Sequence, residues 1–383
     1  MDIFIVGPAH PYRGGIAQFN EELAHTFQKE GDRVNIVSFT LQYPSFLFPG
    51  KTQFTGSPPP EGLNIERAVN AINPFTWLKA GKRIAAGRPD MAIVRYWTPF
   101  MAPALGTVAR RIRRNGYTKV IALTDNIVPH EKVLFGRRLT RYFLSAVDGV
   151  LYMSRQVGDE LDSIGYKGVK SFSPHPIYDC YGEKVDRSAA CVELGLSQGN
   201  RYVLFFGFIR DYKGLDLLLD AWALLAGNGV AENYKLLVAG EFYGDKEKYT
   251  EQIRRNGLED EVILADRYIP DDKVKYYFSA ADLLVQPYRT ASQSGVTQIA
   301  YNFGLPMIVT DVGGLPEIVP DGKVGYVVER APEAIAGAIL KYITGDDAAT
   351  FAGNAIREKE RFSWHKMTGT FRRMLADLRF AKT

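Results

Sequence analysis

Cysteine is nearly absent: Cys180 and Cys191 are the only two in 383 residues. That is too few for a disulfide framework and points to a reducing, intracellular compartment. Long apolar runs are missing as well. No stretch reaches the roughly 18 to 20 uninterrupted apolar residues of a spanning helix. The opening run Met1 to Gly7 is short and carries Asp2 where a signal peptide would be basic, so it reads as a first strand. Of the few histidines, His10, His25, His175 and His365 show no ligand spacing, and no Asp-x-Asp motif occurs, so no metal is expected. A G-x-G-x-x-G fingerprint is lacking, which argues against a dinucleotide dehydrogenase. No nucleic-acid recognition motif is present either, and nucleic acid is not an expected partner.

What is there describes a globular α/β chain. A hydrophobic share of 46% with 23% charged residues fits packed cores, and the length suits two domains better than one. The net charge of +4 hides an asymmetry: residues 1–180 carry 22 Lys and Arg against 15 Asp and Glu, the remainder 25 against 28. The basic half suits an anionic partner, such as a membrane surface or a phosphate-bearing acceptor, and suits a merely solvated basic face equally well.

Short β-branched runs alternate with segments of helical period throughout, the signature of parallel sheets built from βαβ units. In the first half strands are expected at 1–6, 33–38, 91–96, 119–123 and 149–153, with helices at 16–29 and 105–115. The pattern restarts near 202–206 and runs on through strands at 234–239, 262–265, 282–286 and 307–310. Pro174 and Pro176 interrupt both periods and suit a linker. The expectation is two Rossmann-like doubly wound parallel-sheet domains, 1–175 and 176–362, facing a central cleft at the carboxyl ends of their strands.

The loops at those ends hold the candidate chemistry. Gly14 and Gly15 precede a helix, whose exposed amides make an anion site. After the first strand of the second half, Gly207 is followed by Arg210 and Lys213, a guanidinium fork and a compact ammonium able to clamp a diphosphate. Ser294, Gly295 and Val296 open a further helix and offer amides to a phosphate. The run Thr310 to Glu317 repeats the arrangement with Gly313 and Gly314.

These pieces resemble the retaining GT-B glycosyltransferases of family 4, whose members show a G-R-x-x-x-x-K-G loop, an E-G-F-G-x-x-x-x-E segment and a D-x-G-G-x-x-E segment. The resemblance covers most of the chain and is closest at Asp216 to Ala221, Ala281 to Pro287, Gly304 to Pro306 and Thr310 to Glu317. It implies transfer of a sugar from a nucleotide-diphosphate donor to a glycan or lipid-linked acceptor. The leaving diphosphate would be met by Arg210, Lys213 and a helix N-terminus, with no metal and no cofactor. It also implies that the first domain binds acceptor, that the C-terminal helix 363–383 packs back on that domain, and that Gly14, Gly15, Gly207, Tyr268, Ser294, Gly295, Val296, Gln298 and Glu317 line the donor site.

The sequence departs from the family at several points. Phe208 stands where the family has arginine, which leaves Arg210 as its substitute. The two glutamates are replaced by Ser292 or Gln293 and by Gln298 or Ile299, with Gln298 the candidate for the donor ribose. The family histidine is missing at 124–126, so Asp125 and His130 are the candidates for contacting sugar or acceptor hydroxyl. In the first half, Tyr43, Phe46, Phe48, Phe75, Trp77, Trp97 and Phe100 lie beside Lys79, Lys82, Arg83, Arg110, Arg111, Arg113 and Arg114. This suits a lipid-linked acceptor at the inner face of a membrane, or simply aromatics in a core with cations in water. A nucleotide-sugar epimerase and a non-catalytic sugar-binding protein remain the alternatives.

Overall fold

A computed structural model describes residues 1–44, 52–127, 135–178, 180–227, 229, 232–291 and 293–380. The chain divides into two units, one of residues 1–174 with 363–383 and one of residues 175–362.

In the first unit the elements run β1 (Asp2–Val6), α1 (Gly15–Lys29), β2 (Arg33–Leu41), β3 (Asn64–Asn70), α2 (Pro74–Ala86), β4 (Met91–Tyr96), α3 (Ala102–Arg113), β5 (Lys119–Thr124), α4 (Gly136–Leu144), β6 (Gly149–Tyr152), α5 (Arg155–Ser163) and β7 (Val169–Phe172). The strands form a seven-stranded sheet in the order β3-β2-β1-β4-β5-β6-β7, parallel throughout. Every residue of β4 and β5 is buried, which is why both read as near-continuous apolar runs. The edge strands β3 and β7 escaped the sequence reading for the opposite reason. β3 is Asn-Ile-Glu-Arg-Ala-Val-Asn, exposed or half-buried everywhere but at Val69, and an edge strand is held by backbone pairing to a single neighbour.

The second unit runs α6 (Arg187–Leu194), β8 (Arg201–Phe206), α7 (Leu215–Ala226), β9 (Tyr234–Ala239), α8 (Lys246–Arg255), β10 (Val262–Ala265), α9 (Asp271–Ala280), β11 (Leu283–Gln286), α10 (Gly295–Phe303), β12 (Met307–Thr310), α11 (Leu315–Ile318), β13 (Gly325–Val328), α12 (Pro332–Thr344) and α13 (Ala348–Glu358). Its six-stranded sheet has the order β10-β9-β8-β11-β12-β13, again all parallel. The core gathers Phe205, Leu218, Trp222, Val238, Val285 and Ile339 around β8 and α7.

The last helix, α14 (Trp364–Phe380), belongs to the first unit. Its buried stripe of Trp364, Met367, Phe371 and Leu375 has helical spacing. Trp364 meets Phe19 of α1 edge-on at 4.9 Å, and Arg372 reaches Glu30 at 2.8 Å and Asp32 at 2.6 Å. Among the described residues no helix is long and apolar enough to cross a membrane.

Candidate functional site

Both sheets reverse their strand order, in the second unit between β8 and β11. The loops leaving two strands that wind in opposite directions diverge there and open a crevice. The loop after β8 carries Gly207 to Gly214, the loop after β11 carries Pro287 to Ser294, and the two are locked together. A Cβ at Gly214, whose φ is +69°, would lie 2.0 Å from the Pro287 carbonyl oxygen. The Arg289 amide donates to the Tyr212 carbonyl at 2.7 Å, and the Arg289 guanidinium takes both oxygens of Asp216 at 2.8 and 2.6 Å.

Lys213 ends a short 3-10 turn, Asp211–Lys213, and is only 7% exposed. Its Nζ lies 5.5 Å from the centre of the Tyr288 ring, a phenol that burial pushes up to about 12 and so keeps neutral. Gly207 has a φ of +100°, and a Cβ there would stand 2.8 Å from the Lys213 ammonium and 3.6 Å from Val296 Cγ2. Glycine at 207 therefore leaves Lys213 its space and lets the start of α10 approach β8. Burial pushes the Lys213 ammonium below the usual lysine range, and the charge of Arg210 adds to the effect. No carboxylate partners it among the described residues. Arg210 is half-buried, with its guanidinium 5.1 Å from the centre of the Tyr243 ring. The neighbouring cations are neutralised, Arg289 by Asp216 at 2.6 Å and Lys248 by Asp211 at 3.1 Å. Two cations without acid partners beside a helix start form a site for a multiply charged anion.

α10 begins at Gly295 with Ser294 as its N-cap, yet the Ser294 side chain does not cap its amides. The Ser294 hydroxyl instead accepts from Gln286 Nε2 at 2.8 Å. The Gly313-Gly314 turn joins this loop, the Gly314 amide donating to the Ala291 carbonyl at 3.1 Å, and it leads into α11 with half-buried Glu317. Tyr268 enters the neighbourhood through Phe208, which lies tilted against Tyr243 at 4.6 Å and stacks towards Tyr268 at 6.3 Å. The residue in place of the family arginine thus builds an aromatic wall beside Arg210.

Gln298 is wholly buried, and neither atom of its amide has a partner among the described residues. A buried amide left unpaired costs stability, roughly 1–3 kcal/mol per unmet group. Gln298→Met is therefore expected to raise the thermal midpoint by about 2–4 °C per kcal/mol relieved. If the amide is held ready for the donor, the same change weakens nucleotide binding about tenfold. A lower midpoint in a scanning-calorimetry comparison would show that the amide is satisfied in solution.

In the first unit Gly14, at a φ of +106°, is the N-cap of α1 and has no side chain with which to cap it. Asp125 follows β5 and is held bidentately by Arg95 of β4, at 2.6 Å from Nε and closer still from Nη2. His130 and Ser292 lie outside the described residues. Of the first half's aromatics, Tyr96 and Trp97 are buried and Trp77 half-buried, whereas Phe75 is 83% exposed. Among the described residues no three His, Cys, Asp or Glu side chains gather into a metal site. The sequence reading missed Arg95, Tyr243 and the Arg289–Asp216 pair. Arg95 did leave a signal, since a charge inside the apolar strand Met-Ala-Ile-Val-Arg-Tyr needs a buried partner.

Residues 200–345 match the family described as Glycosyl transferases group 1. The D-inositol 3-phosphate glycosyltransferase of Segniliparus rotundus is 34% identical over 186 residues, which is 47% of this chain and 40% of that protein. The protein of the same name from Acidothermus cellulolyticus is 30% identical over 209 residues, 52% of this chain and 46% of that one. The chain thus spans less than half the length of these relatives. Among solved structures, the sucrose-phosphate synthase of Thermosynechococcus elongatus superposes with a TM-score of 0.75 at 18% identity, over 98% of this chain and 100% of that one. Anabaena HepE in complex with UDP gives 0.75 at 17%, with the same coverage. At such identities the likeness establishes the fold, two parallel-sheet α/β units of the GT-B type. The matched residues 200–345 hold β8 and the loop bearing Arg210 and Lys213.

Proposed function

We propose that the chain is a glycosyltransferase that moves a sugar from a nucleoside-diphosphate donor to a glycan or lipid-linked acceptor, with retention at the anomeric carbon and without a metal. The observation that carries this is the pair Arg210 and Lys213, neither with an acid partner among the described residues, set against Gly207 and the start of α10. As the bond from the anomeric carbon to phosphate breaks, charge collects on the departing diphosphate, and fixed cations and amides placed there act most strongly in the transition state. The two cations and the helix start do what a divalent ion does elsewhere, so none is required. Ser294, Gly295 and Val296 meet phosphate, the wall of Phe208, Tyr243 and Tyr268 is available to the base, and Gln298 and Glu317 reach the ribose and sugar. Asp125, with His130, is assigned to the acceptor or sugar hydroxyl, and the basic first unit to an acceptor at a cytoplasmic membrane face.

Thermal stabilisation by UDP, GDP and ADP, measured with EDTA present, tests the donor assignment. A selective rise by one nucleoside diphosphate is expected, amounting to about 2.7 kcal/mol at 100 times its Kd, and absent in an Arg210→Ala, Lys213→Ala double variant. UDP is the first to try, given the HepE complex. No rise with any nucleotide would remove the donor site. A rise with nucleotide sugars but no transfer to any acceptor would favour the sugar-binding alternative, and an epimerised donor the other.

A further inference from the structure

β11 reads Leu-Leu-Val-Gln, and its one polar residue is as enclosed as the others: Gln286 is 1% exposed. A buried amide costs stability unless its groups are matched, and this one is matched on one side only. Gln286 Nε2 donates to the Tyr288 hydroxyl at 3.0 Å and to the Ser294 hydroxyl at 2.8 Å, while Oε1 has no partner among the described residues. Turning the amide over would leave two N–H donors unmatched in place of one carbonyl. Both hydroxyls are buried, and Ser294 is also a hydrogen-bond neighbour of the Tyr288 phenol. The Ser294 backbone is fixed separately, since the Thr297 hydroxyl donates to its carbonyl at 2.5 Å. What Gln286 sets is therefore the direction of one side chain. A serine at an N-cap ordinarily turns its oxygen towards the first-turn amides, and Ser294 does not. A hydroxyl has one proton and two lone pairs. With a lone pair of Ser294 taken by Gln286, the proton is left for a further acceptor.

We propose that Gln286 is a positioning residue for the donor diphosphate: it holds the Ser294 hydroxyl off the start of α10 and leaves its proton to be donated to a phosphate oxygen. The surroundings fit that task. Tyr288, the other partner of the amide, is the ring 5.5 Å from Lys213 Nζ. Val296, two residues past Ser294, stands 3.6 Å from the same Cβ position at Gly207 that the Lys213 ammonium approaches to 2.8 Å. One amide at the end of β11 thus ties the ring beside the lysine to the hydroxyl at the helix start. An unmatched buried carbonyl kept at such a point is a local cost of the kind that functional sites retain. The inference deepens the proposed function and rests on it, because the anion served is the diphosphate of that reading.

Titration calorimetry of the full chain with UDP and with uridine, paired with thermal melts, tests this; GDP with guanosine or ADP with adenosine replaces them where the parent selects that base. Gln286→Met keeps an unbranched side chain of similar length and removes the amide. It should weaken UDP about tenfold, the worth of one hydrogen bond to a charged group, while uridine, which has no phosphate, binds as it does to the parent. The thermal midpoint should stay level or rise, because an unmatched carbonyl leaves the core. Ser294→Ala should lose the same factor, and the double variant no more than either single one, since one residue acts through the other. Unchanged UDP affinity in Gln286→Met, or losses that multiply in the double variant, overturns the proposal. An equal loss for uridine with a lowered midpoint overturns it as well, by showing a packing role. A parent that UDP, GDP and ADP all fail to stabilise removes the donor reading and this role with it, whereas a parent and a Gln286→Met protein that respond equally remove the role alone.

Discussion

Lys213→Met is expected to lower turnover of a nucleotide-sugar donor by about 100- to 1000-fold, the size of effect seen when one preorganised group facing transition-state charge is removed. Methionine fills the same buried, roughly linear space beside Gly207 and Tyr288, and it removes an ammonium that burial already disfavours. The melting temperature should therefore stay level or rise while catalysis collapses, which separates a chemical role from a structural one. Arg210→Ala should cost less, because Arg210 is only half-buried and solvent screens part of its charge. A Lys213→Met protein within about threefold of the parent in kcat/KM would remove Lys213 from the mechanism.

The same lysine sets a pH dependence. Its pKa in the free protein is lowered by burial and by Arg210, whereas a bound diphosphate favours the charged form. Affinity for UDP should accordingly be greatest and level at pH values below the lowered pKa. It should decline as pH rises through that value, at a pH where an exposed lysine would still hold its proton. Folding responds with the opposite sign: a lysine whose folded pKa lies below its unfolded one costs stability at low pH, and the cost is relieved as pH rises between the two. Titration of the UDP Kd against pH checks this, and Lys213→Arg should flatten the curve.

Arg95→Leu is expected to destabilise the first unit by roughly 3–5 kcal/mol, because it leaves the Asp125 carboxylate almost enclosed without its counter-charge. Arg95 is 1% exposed, grips both oxygens of Asp125 and lies 4.0 Å from the centre of the Phe19 ring, so three elements lose an anchor together. Arg95→Leu combined with Asp125→Leu should recover most of the loss, since an apolar pair needs no mutual compensation. Urea unfolding of the four proteins forms a double-mutant cycle, and a coupling energy near zero would show the pair to be solvated. If Asp125 contacts sugar or acceptor, the rescued double variant folds but does not turn over.

Where the strand carries its own burial, the sequence read it closely. The runs at 91–96, 234–239 and 307–310 coincide with β4, β9 and β12, since a strand covered on both faces must be apolar at nearly every position, and the edge strand β10 at 262–265 was read because Val-Ile-Leu-Ala is apolar even where it is only half-buried. β3, β7 and β13 lie at or beside sheet edges, and their half-exposed residues follow no such period. The loop with Arg210 and Lys213 was legible because a strand end, a glycine and cations are local features. Phe208 was legible only as a missing arginine, and its ring contact with Tyr243 depends on β9 lying next to β8.

The sequence alone determined two doubly wound parallel-sheet units, the loops that carry chemistry, and the amphipathic last helix, because periodicity, glycines and caps act within about a turn or a strand of themselves. Only the tertiary structure decided which cations are engaged and which are available. Arg289 and Arg210 look alike in the chain, yet Arg289 meets Asp216, 73 residues away, and Arg210 meets an aromatic face. Likewise, Phe75 and Trp97 could not be told apart in the chain, but one stands in solvent and the other is buried. Partnership and burial depend on which distant segments the strand order brings alongside, and that order follows from packing over the whole sheet.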